Sequence, residues 1–192
     1  MTTLKSVFFA LPIALLAGSV LAGDLPKSKQ TKAELYVTAA EAADLLKSED
    51  VFLVDVRSRA EVAFVGLPTR ADKHIPYMVM PMMAEFDSDR GAYALEINPD
   101  FPADFEDFIQ ARGAGKDSVV ILMCRSGSRS ARAADLLADL GYLNVYSMID
   151  GFEGDKAKDG SLAGQRVLNG WRNAGLGWSY KISPEQVYDA DL

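Results

Sequence analysis

Two uninterrupted apolar runs constrain the fold of this chain more than any other feature. Residues 51–56 and residues 118–123 combine β-branched and long aliphatic side chains with almost no polar interruption, which is typical of strands buried on both faces. Residues 101–112 and 129–140 instead place apolar side chains at helical spacing. Strands that alternate with helices in this way predict a three-layer α/β domain with a mainly parallel sheet.

Shorter patterns supply the remaining predicted elements. Thr38 and Glu41 form a capping box that starts a helix over 39–47, and Ser58 caps a short helix that ends near residue 65. Further strands are expected at residues 35–37, 78–83 and 144–149, with a turn-rich stretch over 66–74. The methionines of 78–83 are interpreted as core filling rather than as a copper site, because no His or second Cys accompanies them.

The first 22 residues have the pattern of a secretory signal. Lys5 precedes an apolar stretch over 7–16, and small residues end at Ala22, so we expect cleavage before Gly23 and a periplasmic mature protein. The apolar stretch is shorter than the ~20 residues of a spanning helix, so no membrane association is expected after cleavage. The rest of the chain divides into a flexible polar leader over 23–34, a domain over 35–180 and a C-terminal tail over 181–192.

The chain contains one Cys and one His in 192 residues. An internal disulfide is therefore excluded, and so is a zinc site, which needs about four such ligands. The formal net charge of −7 argues against binding to nucleic acid or to an anionic membrane, since both favour a basic surface. The single thiol, Cys124, becomes the first candidate for chemistry.

Cys124 lies where the second apolar run meets the following helix. Ligands of open α/β sheets bind beyond the carboxyl ends of the strands, and a helix N-terminus offers unpaired N–H groups and partial positive charge. We therefore predict that Cys124 is a nucleophile and that the loop binds an anionic substrate. The predicted substrate-binding residues are Arg125, Ser126, Gly127, Ser128 and Arg129. Two alternatives stay open from the residues alone: a small core cysteine, and an anion site without covalent chemistry.

The loop and its surroundings resemble the rhodanese-like sulfurtransferases. The resemblance rests on the loop over 124–130, the strand end over 54–57 with Glu61 after it, the segment 74–76 and a closing segment over 170–176. It implies a five-stranded parallel sheet with helices on both faces, and a loop cysteine that carries sulfane sulfur as a persulfide. We expect Asp55 and Arg57 to pair and support the loop, and His74 to be structural rather than catalytic.

The resemblance implies an enzyme that uses Cys124 to move sulfane sulfur from thiosulfate or a persulfide donor to a thiol or protein acceptor, without a cofactor. One alternative is a carrier or anion-binding module that holds sulfur for a partner and turns over poorly alone. A Cys-based phosphatase or arsenate reductase is disfavoured, because those loops usually place an Arg six positions after the Cys. Here the Arg is fifth, Arg129, and Ser130 is sixth.

Two segments depart from the family pattern. The stretch between Arg57 and His74 is several residues longer than usual, and the second departure is larger. Residues 152–168 form an insertion after the last predicted strand, so we expect them on the active-site face. The acids of this region are Asp150, Glu153, Asp155 and Asp159. Their spacing does not match a calcium loop, and a solvated acidic turn is the preferred interpretation.

Overall fold

The computed structural model of the protein describes residues 22–188, so nearly all of the expected signal sequence lies outside the described residues. A central sheet has five strands in the order β1-β10-β9-β2-β4, and every neighbouring pair is parallel. The strands are β1 Tyr36–Val37, β2 Val51–Asp55, β4 Lys73–His74, β9 Val119–Met123 and β10 Asn144–Met148. The predicted α/β fold with a five-stranded parallel sheet is thus confirmed.

Four helices cover the two faces of the sheet. They are α1 Ala39–Leu45, α2 Arg59–Val65, α3 Phe101–Ala111 and α4 Ser128–Asp139. Capping boxes start both α1 and α2. The hydroxyls of Thr38 and Ser58 each accept the backbone N–H of the Glu three positions on, and the carboxylate of that Glu accepts the backbone N–H of the Thr or Ser. None of the helices within residues 22–188 has the length and apolarity needed to cross a bilayer.

The sheet separates two hydrophobic cores, and β9 contributes to both by simple alternation. Val120 and Leu122 pack with Cys124 into the core under α3 and α4. Ile121 and Met123 point the other way, into the core under α1 and α2. The central strand is therefore buried on both faces, as its apolar sequence predicts.

The remaining strands are short and lie outside the main sheet. β3 Leu67–Pro68 pairs with β11 Trp178–Ser179, β5 Met78–Val79 with β8 Glu96–Ile97, and β6 Phe86–Asp87 with β7 Ala92–Tyr93. The short strand expected within 78–83 is found at its first two residues, but it pairs with β8 outside the main sheet. The fifth strand of the main sheet is β4, from the stretch expected to be turns. Met82 is 99% exposed and Met83 is 86% exposed, so these side chains fill no core.

The leader and the tail both pack against the domain. The expectation of a flexible leader is wrong, because Lys29 is buried and Lys32 donates its backbone N–H to Asp135 of α4 and its ammonium to Asp139. In the tail, the carbonyl of Gln186 accepts the N–H of His74, and Tyr188 is buried. The packed body therefore extends beyond the expected limits of 35 and 180.

Candidate active site

The loop that carries Cys124 joins the central strand to the helix behind it. β9 ends at Met123 and α4 begins at Ser128, so the loop lies at the carboxyl edge of the sheet. Gly127 adopts a φ of 99°, and a Cβ at this position would collide with the carbonyl oxygen of Ile149. Glycine therefore lets the loop close tightly against the chain that leaves β10.

The Cys124 thiol is surrounded by hydrogen-bonding groups. Its Sγ lies 3.1 Å from the N–H of Gly127, which donates to it, and 3.5 Å from the hydroxyl oxygen of Ser130. The Ser130 hydroxyl also donates to the Gly127 carbonyl and lies 2.9 Å from the Ser147 hydroxyl. Cys124 is only 1% exposed, so the sulfur is buried at the start of α4.

Arg129 is bound by a carboxylate from the neighbouring helix. Its two terminal nitrogens lie 2.6 and 2.5 Å from the carboxylate oxygens of Glu61, in a partly buried bidentate pair. Burial alone would raise the pKa of the Glu61 carboxyl, but the bonds and charge of Arg129, helped by Ser58, lower that pKa to about 2. The guanidinium thus faces Glu61, and a direct contact between Arg129 and substrate stays a prediction.

Asp55 and Arg57 pair as expected, and the pair is fully buried. Arg57 Nε lies 3.0 Å from both carboxylate oxygens, and Nη2 lies 2.5 Å from one of them. The guanidinium also donates to the Gly66 carbonyl and stacks 4.0 Å over the ring centre of Phe152. One ion pair therefore joins the end of β2, the end of α2 and the first residue of the insertion.

His74 lies beside this pair, since its strand β4 is paired with the end of β2 at Asp55. Its Nε2 lies 2.8 Å from the Arg57 carbonyl oxygen, and the side chain is buried. Burial lowers the pKa of the imidazole, while Asp55 and the Arg57 carbonyl act in the opposite direction. A buried imidazole committed to a backbone carbonyl serves packing, in line with the expected structural role.

The insertion begins directly on the cysteine loop, on the active-site face as expected. The N–H of Phe152 donates to the Cys124 carbonyl at 2.8 Å, and the N–H groups of Glu153 and Gly154 donate to the Arg125 carbonyl. Glycine is required at position 151, where the insertion comes close to the loop, because a Cβ there would overlap the Cys124 carbonyl. The insertion is therefore attached to the backbone of the loop at Cys124 and Arg125.

Asp150 does not belong to a solvated acidic turn. The carboxylate is buried and accepts the N–H of Ala39 at 2.9 Å and that of Gly170 at 3.1 Å. Burial raises the pKa of this carboxyl against the effect of those bonds. Asp150 thus ties the start of α1 to the end of the insertion. Among residues 22–188, no group of three His, Cys, Asp or Glu side chains is placed to hold a metal ion.

The leader also reaches the site. Lys29 Nζ lies 2.7 Å from the Asp155 carboxylate of the insertion, and the Ser28 and Ser128 hydroxyls are 3.4 Å apart. The N-terminal residues therefore contact both the insertion, at Asp155, and the start of α4, at Ser128. Sequence reasoning missed this contact, because a run of Lys, Ser and Gln carries no apolar pattern that would predict docking.

The predicted site residues are not equivalent in the structure. Gly127 contacts the sulfur, Ser126 and Ser128 are half-buried, and the Arg125 side chain is exposed. The sequence marks Ser130 only through the length of the loop, yet its hydroxyl contacts the sulfur directly.

A cavity of about 540 Å³, lined by Arg70 among others, lies elsewhere in the protein. Arg70 bonds the Leu46 and Val51 carbonyls at the amino ends of the strands, so that cavity is remote from the thiol.

The chain has clear relatives. The model of the rhodanese-like domain family matches residues 38–158. An uncharacterised protein of Rickettsia rickettsii is 30% identical over 145 residues, which are 75% of this chain and 96% of that protein. Rhodanese-like domain-containing protein 9 of Arabidopsis thaliana chloroplasts is 26% identical, over 83% of this chain and 72% of that protein. The crystal structure of Rv0390 from M. tuberculosis has a TM-score of 0.55 and 31% identity, and it covers 76% of this chain and 96% of its own.

Proposed function

The chain belongs to the rhodanese-like domain family, and we propose that it is a sulfurtransferase that carries sulfane sulfur on Cys124. The observation that carries the proposal is the Gly127 N–H, which donates to the Cys124 sulfur at the start of α4. An N–H donor and the positive end of a helix both stabilise negative charge on sulfur. The thiolate and the terminal sulfur of a persulfide both carry such a charge.

The proposed reaction has two half-reactions. In the first, the Cys124 thiolate attacks the outer sulfur of thiosulfate: a bond forms between Sγ and that sulfur, the S–S bond of thiosulfate breaks, and sulfite leaves with its electron pair. In the second, a thiophilic acceptor attacks the outer sulfur of the persulfide, and Cys124 departs as the thiolate. Electron pairs balance within the two steps, so the cycle uses no added oxidant or reductant.

The proposal requires an external acceptor. Cys124 is the only cysteine of the chain, so an internal disulfide cannot discharge the persulfide. A cyanide ion, a small thiol or a protein thiolate meets the requirement, because each is a thiophilic nucleophile with a free electron pair.

A carrier module is the second candidate, and the burial of the thiol favours it. A sulfur that is 1% exposed is poorly accessible to a free acceptor. In this form of the proposal, a donor or acceptor protein displaces the insertion before sulfur moves. Both the enzyme and the carrier are expected to load sulfur on Cys124. They differ in turnover, because only the enzyme turns over as the isolated protein.

Mass spectrometry of the intact protein tests the chemistry. Incubation with thiosulfate is expected to add one sulfur atom to the native protein and none to Cys124→Ser, which keeps a similar side-chain size but lacks the thiol. Steady thiosulfate:cyanide turnover then identifies a free-standing enzyme, whereas loading with negligible turnover identifies a carrier. Failure of the native protein to load, together with hydrolysis of a phosphate ester at enzymatic rates, contradicts both and favours phosphatase chemistry.

We also propose that the protein acts in the periplasm after export. Lys5, the short apolar stretch over 7–16 and the small residues that end at Ala22 support this proposal. N-terminal sequencing of the protein from a periplasmic fraction is expected to begin at Gly23. A protein that retains Met1 in the cytoplasm contradicts it.

A further inference from the structure

The chain between β4 and α3 forms a hairpin arm without a buried side chain. Every residue from 79 to 97 is exposed or half-buried, whereas Met78 and Asn98 at the two ends are buried. β5 pairs with β8 at the base of this arm, and β6 pairs with β7 toward its tip. A two-stranded hairpin alone in water is marginally stable at best, so another surface is expected to support this one.

The arm exposes a concentrated set of large apolar side chains. Phe86 is 67% exposed and Tyr93 is 65% exposed, and the register of β6 and β7 places these two residues directly opposite each other, on one face. The full set is Met80, Met82, Met83, Phe86, Tyr93 and Ile97. Scattered exposed apolar residues are normal, but a concentrated set marks an interaction site. Methionine and aromatic residues are also the apolar types that protein interfaces favour.

Polar contacts at the base fix the arm to the domain. The backbone N–H of Asn98 donates to the Tyr77 carbonyl at 3.0 Å, and the side-chain amide of Asn98 donates to the Pro76 carbonyl at 2.9 Å. The same amide lies 3.2 Å from the Tyr188 hydroxyl of the tail. The base therefore holds the arm in place, and the exposed apolar side chains beyond it can contact another molecule.

The charge of the arm restricts what that molecule can be. Four acids, Glu85, Asp87, Asp89 and Glu96, stand against one base, Arg90, which leaves the arm with a net charge of −3. Arg90 lies 3.8 Å from Asp87, so its charge is already partly compensated. The whole chain has a net charge of −7, and like charges therefore disfavour both a second copy and an anionic membrane. A protein surface that carries Lys and Arg is complementary.

The arm leaves the domain at the edge of the sheet that carries the Cys124 loop. β4 and β9 both run parallel to β2, so their carboxyl ends lie at the same edge. Just before the arm, the N–H of Tyr77 donates to the Val56 carbonyl, and the Tyr77 ring lies 5.5 Å from the guanidinium of Arg132 in α4. A molecule held by the arm is thus held at the edge of the sheet where the candidate active site lies.

We infer that the arm over residues 79–97 is a docking element for a partner protein whose contact surface is an apolar groove with Lys and Arg at its rim. Phe86 and Tyr93 enter the groove, and the four acids of the arm pair with the basic rim. The inference goes beyond the proposed function and does not depend on it, because it rests on the exposure and charge of the arm and not on the chemistry of Cys124.

Two synthetic peptides of equal length test the apolar part of the inference. One is an amphipathic peptide of Leu and Lys, and the other replaces every Lys with Glu. Calorimetry is expected to show that the native protein binds only the Leu and Lys peptide, and that Phe86→Ser weakens this binding about 10-fold. Phe64→Ser is the matched control, because Phe64 is an aromatic residue of α2 that is 82% exposed. Equal affinities in the native protein, Phe86→Ser and Phe64→Ser overturn the inference.

Reversal of the charge of the arm tests the chemistry of the partner. Glu85→Lys combined with Asp89→Lys is expected to weaken binding of the Leu and Lys peptide and to permit binding of the Leu and Glu peptide. An unchanged preference between the two peptides overturns the assignment of a basic partner. The melting temperature of Phe86→Ser is expected to equal that of the native protein, because the arm buries no side chain. A clear fall overturns the inference, since the ring then serves the fold.

The other possible occupants of the arm are tested directly. The native protein is expected to sediment as a monomer at micromolar concentration and to remain unbound when mixed with phosphatidylglycerol vesicles. A dimer that Phe86→Ser dissociates overturns the inference and assigns the arm to a second copy of the chain. Vesicle binding that Phe86→Ser abolishes overturns it in favour of a membrane.

Discussion

The cysteine loop lies between two groups of arginines that differ in how their charge is compensated. On the paired side, toward β2 and α2, each guanidinium holds a carboxylate; these pairs are Asp55–Arg57 and Glu61–Arg129. On the open side, toward the insertion, Arg125 and Arg166 form no ion pair among residues 22–188. A guanidinium with a bidentate partner fixes the backbone it bridges, whereas one without a partner can bind a ligand. The paired side thus fixes the backbone around the loop, whereas the guanidinium groups of the open side keep their charge uncompensated by a carboxylate in the part of the chain that the structure describes.

The largest expected effect comes from the buried pair of the paired side. Arg57→Met leaves the Asp55 charge buried without a partner and is expected to reduce the free energy of unfolding by about 4 kcal/mol. Urea denaturation followed by circular dichroism measures this change. Lys47→Met removes one partner of the exposed Lys47–Asp44 pair and is expected to change stability by about 0.5 kcal/mol or less. Similar values for both variants contradict the proposed distinction.

The second pair tests whether Arg129 positions the loop or binds the donor. Arg129→Ala and Glu61→Gln are each expected to lower the free energy of unfolding by about 2 to 3 kcal/mol, because each breaks a partly buried bidentate pair. Both are also expected to reduce sulfur transfer if Arg129 acts through loop position. Glu61→Gln releases the guanidinium, so stronger thiosulfate binding in that variant instead favours a direct contact.

Acid weakens the paired side without any substitution. The pKa of Glu61 is lowered from 4.5 to about 2 in the folded protein, so its contribution is complete well above pH 4.5 and is lost as the pH falls toward 2. By pH 3 this group alone is expected to remove about 2 kcal/mol of stability. The test is the difference in unfolding free energy between the native protein and Glu61→Gln, measured from pH 6 to pH 3. A difference that stays constant with pH contradicts the assigned pKa.

The smallest effect concerns the ion pair between Lys29 of the leader and Asp155 of the insertion. Lys29→Ala breaks the ion pair with Asp155 and is expected to cost about 1 kcal/mol or less, because the Asp155 carboxylate is partly exposed. The insertion then opens more often, and alkylation of Cys124 by iodoacetamide is expected to quicken by up to about fivefold. Lys32→Ala removes a lysine of the same leader that binds Asp139 of α4, and it provides the control. Equal alkylation rates in the two variants contradict the idea that Lys29 holds the insertion in a position that shields Cys124.

The sequence predicted those parts of the fold that depend on local pattern. The apolar runs that became β2 and β9, the capping box at Thr38 and the helix that follows Cys124 are all found where expected. β4 was missed because two residues at a sheet edge contain no alternation to detect. The exposed Met82 and Met83 were misjudged because hydropathy does not distinguish a buried core segment from an exposed turn.

The position of Cys124 in the fold was predictable from the sequence, and the contacts around it were less so. The placement of Cys124 between a buried strand and a helix follows from chain order. The partner of Arg129 depends on a contact between residues far apart in sequence, since Glu61 and Arg129 are 68 positions apart. The capping box pattern of Ser58 and Glu61 does mark Glu61 as a helix-start residue, but not as a carboxylate that also reaches α4.

The position of the N-terminal residues has a consequence for the order of folding. Among residues 22–188, Tyr36 and Val37 pair only with β10, and Lys29 bonds a residue 126 positions later. A chain that emerges from its amino end must keep β1 unpaired until β10 and the insertion have been made, and such non-local pairing is slow. The contacts of the insertion with the Cys124 loop therefore form late, and until they form the thiol is more open to oxidants than in the folded protein, where Cys124 is 1% exposed.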